Sequence, residues 1–409
     1  MTSPSARAAL AVRDFRLYLG ARFFLSMALQ MVGVAVGWQV YELTLDPLHL
    51  GYVGLVQFVP GLLLTLYGGQ VADRFDRRRI LLVCLAVDTV AILALLGLAI
   101  SPAPRVGAIY AVLAVIGTVR AFLGPASQSL VPLLVPAELF PRAVAWSLTS
   151  WQIAMIAGPA AGGLLYASGA ATVYGVAGAL LLASALAVSQ LGTRLKVEAP
   201  MAAGLEGLLA GVRYVRSRKD ILGAVSLDLF AVLLGGATAL LPIFARDILR
   251  VGPLGLGLLR SAPAAGAAVM ALWLAHHPLQ RAAGAKLFVA VAVFGVATVA
   301  FGLSTHLYIS LTALVVLGAA DMISVVVRQT LVQIRTPDAM RGRVSAVNMV
   351  FIGASNELGE LESGLMAAWL GAVPAVVAGG LGTLAVAALW ALRFPELRRV
   401  DRLQAPGPG

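Results

Sequence analysis

The chain has 409 residues, 60% of them hydrophobic and only 12% charged, with a mean hydropathy of +0.91. Soluble domains are nearer a quarter charged, so a water-soluble enzyme fold is excluded and a polytopic membrane protein is expected. The net charge of +11 does not imply nucleic acid: the bases sit in short loops between apolar runs, where they act as topology signals and contacts to anionic lipid.

A helix needs about 20 apolar residues to cross a bilayer. Twelve runs qualify: 17–43, 49–72, 80–101, 106–132, 143–167, 172–191, 221–245, 255–276, 287–304, 307–333, 344–370 and 375–393. The first is too long for a signal peptide and is expected to remain as a span. Scattered Gly and Ala suit packed membrane helices, whereas a barrel would show short alternating segments. Cys84, the one cysteine, lies in an apolar run and has no internal partner for a disulfide.

The stretch Gly69 to Arg79 is too charged for hydrocarbon and reads as a tight cytoplasmic turn. With both termini inside, cytoplasmic segments carry 23 of the 30 Lys and Arg residues, the opposite face carries three (Arg105, Arg246 and Arg250), and four lie within spans. The expected organisation is a six-helix bundle over 1–193, a cytoplasmic linker over 194–220, and a second six-helix bundle with a short tail over 221–409. In the linker, Leu205, Leu208, Leu209, Val212 and Val215 share a helical face with arginines nearby, the pattern of an interfacial, lipid-facing helix.

The halves are related at an offset of 201. Gln128-Ser129-Leu130-Val131 meets Gln329-Thr330-Leu331-Val332, Pro136 meets Pro337, Arg142 meets Arg343, and Gly158 meets Gly359. A shift by six helices keeps orientation, so the repeats are parallel. Transporters of that plan hold substrate between the halves near mid-membrane.

Over almost its whole length the chain resembles the major facilitator superfamily. Gly69-Gln70-Val71-Ala72-Asp73-Arg74-Phe75-Asp76-Arg77-Arg78 is similar to the signature between its second and third helices, with Asp76 in place of the usual second glycine. The resemblance gives this loop the role of a cytoplasmic latch between the halves. Asp73 is suited to capping a helix N-terminus, and the arginines to pairing with acids or carbonyl ends. Arg120-Ala-Phe-Leu-Gly124-Pro-Ala resembles an arginine motif tied to proton coupling in antiporters, with Leu123 where Gln is usual. Gly158-Pro159-Ala-Ala-Gly162-Gly163 resembles the fifth-helix motif of exporters. Arg335 to Gly364 is similar to the branch containing enterobactin (siderophore) exporters and related drug-efflux proteins. The resemblance therefore implies a monomeric secondary transporter of the bacterial inner membrane. It would export amphipathic organic molecules against protons by alternating access. Import of a small nutrient by proton symport is the alternative on the same fold.

Ten Asp, Glu and Arg residues fall inside the spans and clear of their ends: Arg22, Asp88, Arg120, Asp228, Arg260, Asp321, Arg328, Glu357, Glu360 and Glu362. Such groups are costly in hydrocarbon and are functional candidates. Six acids face four bases, so some carboxylate lacks its own arginine, and burial favours the neutral form of an unpaired carboxylate. The proton-coupling candidates are Glu357 and Glu360 first, then Asp321 and Asp228, with Arg120 and Arg328. Asp321 and Arg328 lie on one helical face but about 10 Å apart along it, too far to pair directly. Gln30, Trp38, Gln39 and Phe230 are candidates to line a substrate cavity, against a reading as packing residues. No H-E-x-x-H, G-x-S-x-G or G-x-x-x-x-G-K-[ST] occurs. No enzyme activity, cofactor or metal is expected.

Overall fold

The computed structural model describes residues 8–192, 205–279 and 281–401. Among the described residues the regular structure is all helical. The first six long helices are α1 Arg13–Thr44, α2 Pro47–Arg74, α3 Arg77–Ile100, α4 Val106–Gln128, α5 Phe140–Tyr166 and α6 Ala170–Ser189. A linker helix, Leu205–Ser217, precedes α7, which runs regularly over Lys219–Leu234 and breaks at Gly235-Gly236. Then come α8 Gly252–His276, α9 Ala283–Leu303, α10 Leu307–Arg335, α11 Asp338–Leu370 and α12 Ala372–Arg393. Among the described residues ten helices are both long and apolar enough to cross a membrane. Helices α5 and α11, of 27 and 33 residues, have the length as well. The twelve-span architecture agrees with the sequence reading, and α11 is less apolar because it carries Glu357, Glu360 and Glu362.

The chain divides into two compact units, residues 1–44 with 56–202 and residues 45–55 with 203–409. Within the first, α1 packs on α5 and α6, and α3 packs on α4 and α6. Within the second, the equivalent pairs recur: α7 with α11 and α12, and α9 with α10 and α12. The repeat shows also in backbone contacts. A Cβ on Gly117 of α4 would run into the Gln57 carbonyl of α2, and one on Gly318 of α10 into the Pro263 carbonyl of α8. These two glycines are 201 residues apart, the offset at which the halves align. Without a hydrophobic force between helices in lipid, such close approach is what joins them.

Two expectations are corrected. The turn expected over Gly69–Arg79 is only Phe75-Asp76, because α2 continues through Arg74 and α3 starts at Arg77. The reason is local: Asp76, just before the first residue of α3, caps that helix by accepting the Arg78 backbone N–H on its carboxylate at 2.9 Å. In the linker helix, Val212 and Val215 do not face lipid. They pack with Ile221, Val225, Val344 and Val347, Gly211 lies against the Arg343 carbonyl, and Tyr214 donates to the Arg335 carbonyl at 3.0 Å. Leu209, Arg213 and Arg216 form its exposed stripe. The side chains of Leu205 and Leu208 lie outside the described part.

The glycine contacts give a stability test. Gly117→Val should destabilise the protein by roughly 1–3 kcal/mol through overpacking, lowering its thermal unfolding midpoint in detergent. Gly97→Ala, where an added methyl meets nothing, should leave the midpoint unchanged or raise it.

Candidate functional site

The charges of the second unit meet at α7 and α10. Arg328 of α10 forms an ion pair with Asp228 of α7, and the two side chains are 3% and 9% exposed. Asp321 lies two turns before Arg328. As the spacing requires, it does not pair with that arginine, and no hydrogen bond or ion pair joins it to another described residue. Asp228, Asp321 and Ser324 line one cavity of about 10 Å³ with Ala231, Val291 and Phe294. That volume is the room needed by about one water. The structure thus brings together three of the six coupling candidates: an ion pair, and a carboxylate beside it that faces the same small space.

Glu357 and Glu360 share a face of α11, as their spacing implies. Both are half-buried against the start of α2, in the part of that helix that belongs to the second unit. A Cβ on Gly54 would lie 2.6 Å from Glu360 Oε2 and 3.0 Å from Glu357 Oε2, so the two carboxylates converge on one glycine. Gly364 packs on Gly51 one stretch further along. Neither carboxylate is free, for both are engaged by other groups. Glu362 points away and bonds Ser363. Phe230 packs against Trp390 with ring centroids 5.2 Å apart and is partly exposed.

In the first unit, the arginines of the signature loop reach helix ends. Arg77 Nη1 donates to the Ser129 carbonyl at 2.8 Å, at the end of α4, and Arg78 donates to the Ser189 carbonyl, the last of α6. A cation at a helix C-terminus satisfies orphan carbonyls and meets the negative end of the dipole. Gly69 and Arg74 lie in the last turns of α2, Arg74 exposed. Asp73 is also in α2, and its side chain lies outside the described part. Gly158, Pro159, Gly162 and Gly163 are all buried on α5. A Cβ on Gly158 would come within 2.6 Å of Gln30 Cβ, and one on Gly162 within 2.9 Å of Met31 Cα. The exporter-like motif is therefore the contact of α5 with α1. Gln30 there donates to Met155 Sδ at 2.6 Å.

Trp38 and Gln39 serve packing. Trp38 is buried with its ring 6.3 Å from Tyr166, and Gln39 accepts from Tyr174 at 2.7 Å. The first unit also buries an acid that sequence reasoning left among the ten charges without a role. Asp88 of α3 is 2% exposed, its Oδ1 has no hydrogen-bond partner among the described residues, and the opposite charge acting on it is Arg120 of α4. The signal available was its position near mid-span. No group of His, Cys, Asp and Glu suited to a metal occurs among the described residues.

Residues 4–406 match the family of transmembrane secretion effectors, within the major facilitator superfamily. The chain belongs to this family. It is similar to the enterobactin exporter EntS of Shigella boydii and of Escherichia coli, 28% identical over 393 residues, which is 94% of this chain and 92% of those proteins. Among solved structures it is similar to a bacterial homologue of the human lysosomal transporter Spinster (TM-score 0.75, 14% identity, 94% of this chain and 97% of that one). A bacterial homologue of the iron transporter ferroportin is comparable (TM-score 0.71, 15% identity, 95% and 99%). As a transmembrane secretion effector the protein is a multi-pass membrane transporter.

The buried pair makes a sharp prediction. Arg328→Ala strands Asp228 and should cost about 3–5 kcal/mol, whereas replacing the pair together by Asp228→Leu and Arg328→Met should be nearly neutral or stabilising. Thermal unfolding of the purified single and double variants in detergent measures both.

Proposed function

We propose that the protein is a proton-driven exporter of amphipathic organic molecules of siderophore or drug-like type, working by alternating access from the bacterial inner membrane with both termini in the cytoplasm. The observation that carries the proton coupling is the arrangement on α7 and α10. Asp321 has no partner among the described residues and shares a water-sized cavity with the Asp228–Arg328 pair. A carboxylate in that position takes and gives a proton through a single water. Asp228 is committed to Arg328, and Glu357 and Glu360 are engaged, so Asp321 is the carrier of choice.

The direction and the substrate rest on kinship. The relatives matched over nearly their full length are named as exporters of enterobactin, and the Gly158–Gly163 motif on α5 is of the exporter kind. Gln30 and Phe230, half-buried and partly exposed respectively, remain the candidates for touching the substrate.

The test is uptake of enterobactin and of ethidium into inverted membrane vesicles with an acidic interior. Accumulation should collapse with a protonophore, and Asp321→Asn should lower it about a hundredfold, the scale of a lost proton-transfer group. Gradient-independent uptake of both compounds would overturn antiport. Accumulation only in intact cells would instead make the protein an importer.

A further inference from the structure

The first unit contains a buried acid that the site on α7 and α10 does not use. We propose that Asp88 takes up and releases a proton inside the first unit with Arg120 as its counter-charge, so that transport runs on two protonation sites, one in each unit. This inference rests on the antiport reading above.

The placement argues for it. Asp88 stands eleven residues into α3 from Arg77, about 17 Å along the axis, near the middle of a hydrocarbon core about 30 Å thick. The residue is 2% exposed, and its Oδ1 has no hydrogen-bond partner among the described residues. A structural carboxylate at that depth would be expected to accept hydrogen bonds from its neighbours. The helices packed on α3 are α4 and α6. From α4 the charged group is Arg120, which acts on Asp88 electrostatically. Helix α6 carries no charged residue, and its one titratable group, Tyr174, donates to Gln39. On α3 itself Cys84 lies one turn away, buried. Among the described residues Asp88 therefore answers to a single cation, on one neighbouring helix. Arg120 is itself exposed rather than locked in a buried ion pair, so its distance from Asp88 can respond to the charge there.

A lone pair on Asp88 takes a proton delivered by water, the carboxylate charge is cancelled, and Arg120 loses its counter-ion. Release of the proton to water restores both charges. No other reactant is involved.

Infrared spectroscopy of the purified protein across a pH series reads the proton directly, without any substrate. The carboxylic-acid carbonyl bands of the native protein should lose one component in Asp88→Asn and regain one in Asp88→Glu, while the component lost in Asp321→Asn stays in place. Arg120→Gln should move the pH at which the Asp88 component appears. In proteoliposomes, the ratio of gradient-driven accumulation of enterobactin to its exchange should fall about tenfold in Asp88→Asn and recover in Asp88→Glu. An unchanged set of carboxylic-acid bands in Asp88→Asn would overturn the proposal. A fall in exchange and accumulation in equal proportion would also overturn it, since that marks a packing role. If the native protein shows no gradient-driven accumulation, the antiport reading has failed, and the infrared series alone decides whether Asp88 binds a proton. Asp88→Glu keeps the test open if Asp88→Asn does not fold.

Discussion

Hydrocarbon supplies no hydrogen bonds, and this constraint orders the whole structure. Every backbone group must be satisfied within its own helix, so the spans are helical. Helices gain nothing from burying apolar surface in an apolar solvent, so they are joined by close backbone approach at small residues. Gly117 and Gly318 sit at such crossings, and Gly158 and Gly162 hold α5 against α1. A buried charge is held most firmly where another charge or a helix end receives it. Arg328 has Asp228, and Arg77 and Arg78 have the closing carbonyls of α4 and α6.

The two units show what duplication keeps and what it changes. The same helix pairs pack in each, and a glycine occupies the same crossing at an offset of 201. The charges inside the spans do not follow, although Arg142 and Arg343 beyond them do. At that offset Arg120 of the first unit corresponds to Asp321 of the second, and Asp88 to Val289. Backbone approach tolerates no substitution without moving helices, so it persists. A buried charge needs only a partner somewhere on an adjacent helix, so its position drifts. The first unit therefore takes its acid from α3 and its base from α4, and the second its acid from α7 and its base from α10.

Much of this was legible in the sequence because the bilayer reads hydrophobicity directly. The twelve spans and the internal repeat follow from apolar length and from matched Gly, Pro and Arg positions. That Asp321 and Arg328 do not pair also follows from helix geometry alone. The partners of Arg328, Glu357 and Glu360 were not legible, since pairing across helices depends on rotation and tilt that no single span encodes. Asp88 was passed over for lack of a motif around it. The short turn at Phe75-Asp76 was missed because Asp76 was read as a lost glycine rather than as a helix cap. Trp38 and Gln39 illustrate a general ambiguity: an amide or an aromatic ring in a span is equally suited to a cavity wall and to a contact with a tyrosine, and here Tyr166 and Tyr174 claim them.

The division of labour proposed for Asp228 and Asp321 follows from the same constraint. A proton placed on Asp228 would cancel the one charge that holds Arg328, leaving a buried guanidinium uncompensated. Breaking such a pair is strongly unfavourable even where forming it brings little net stability. The pair is thus suited to fixing α7 against α10, and poorly suited to being charged and discharged in each cycle. Asp321 bears no such obligation. Adding or removing its proton changes its own charge alone, next to a space that admits a water and within reach of the field of Arg328. The residue that holds no helix in place is the one whose protonation the rest of the unit can afford to sense.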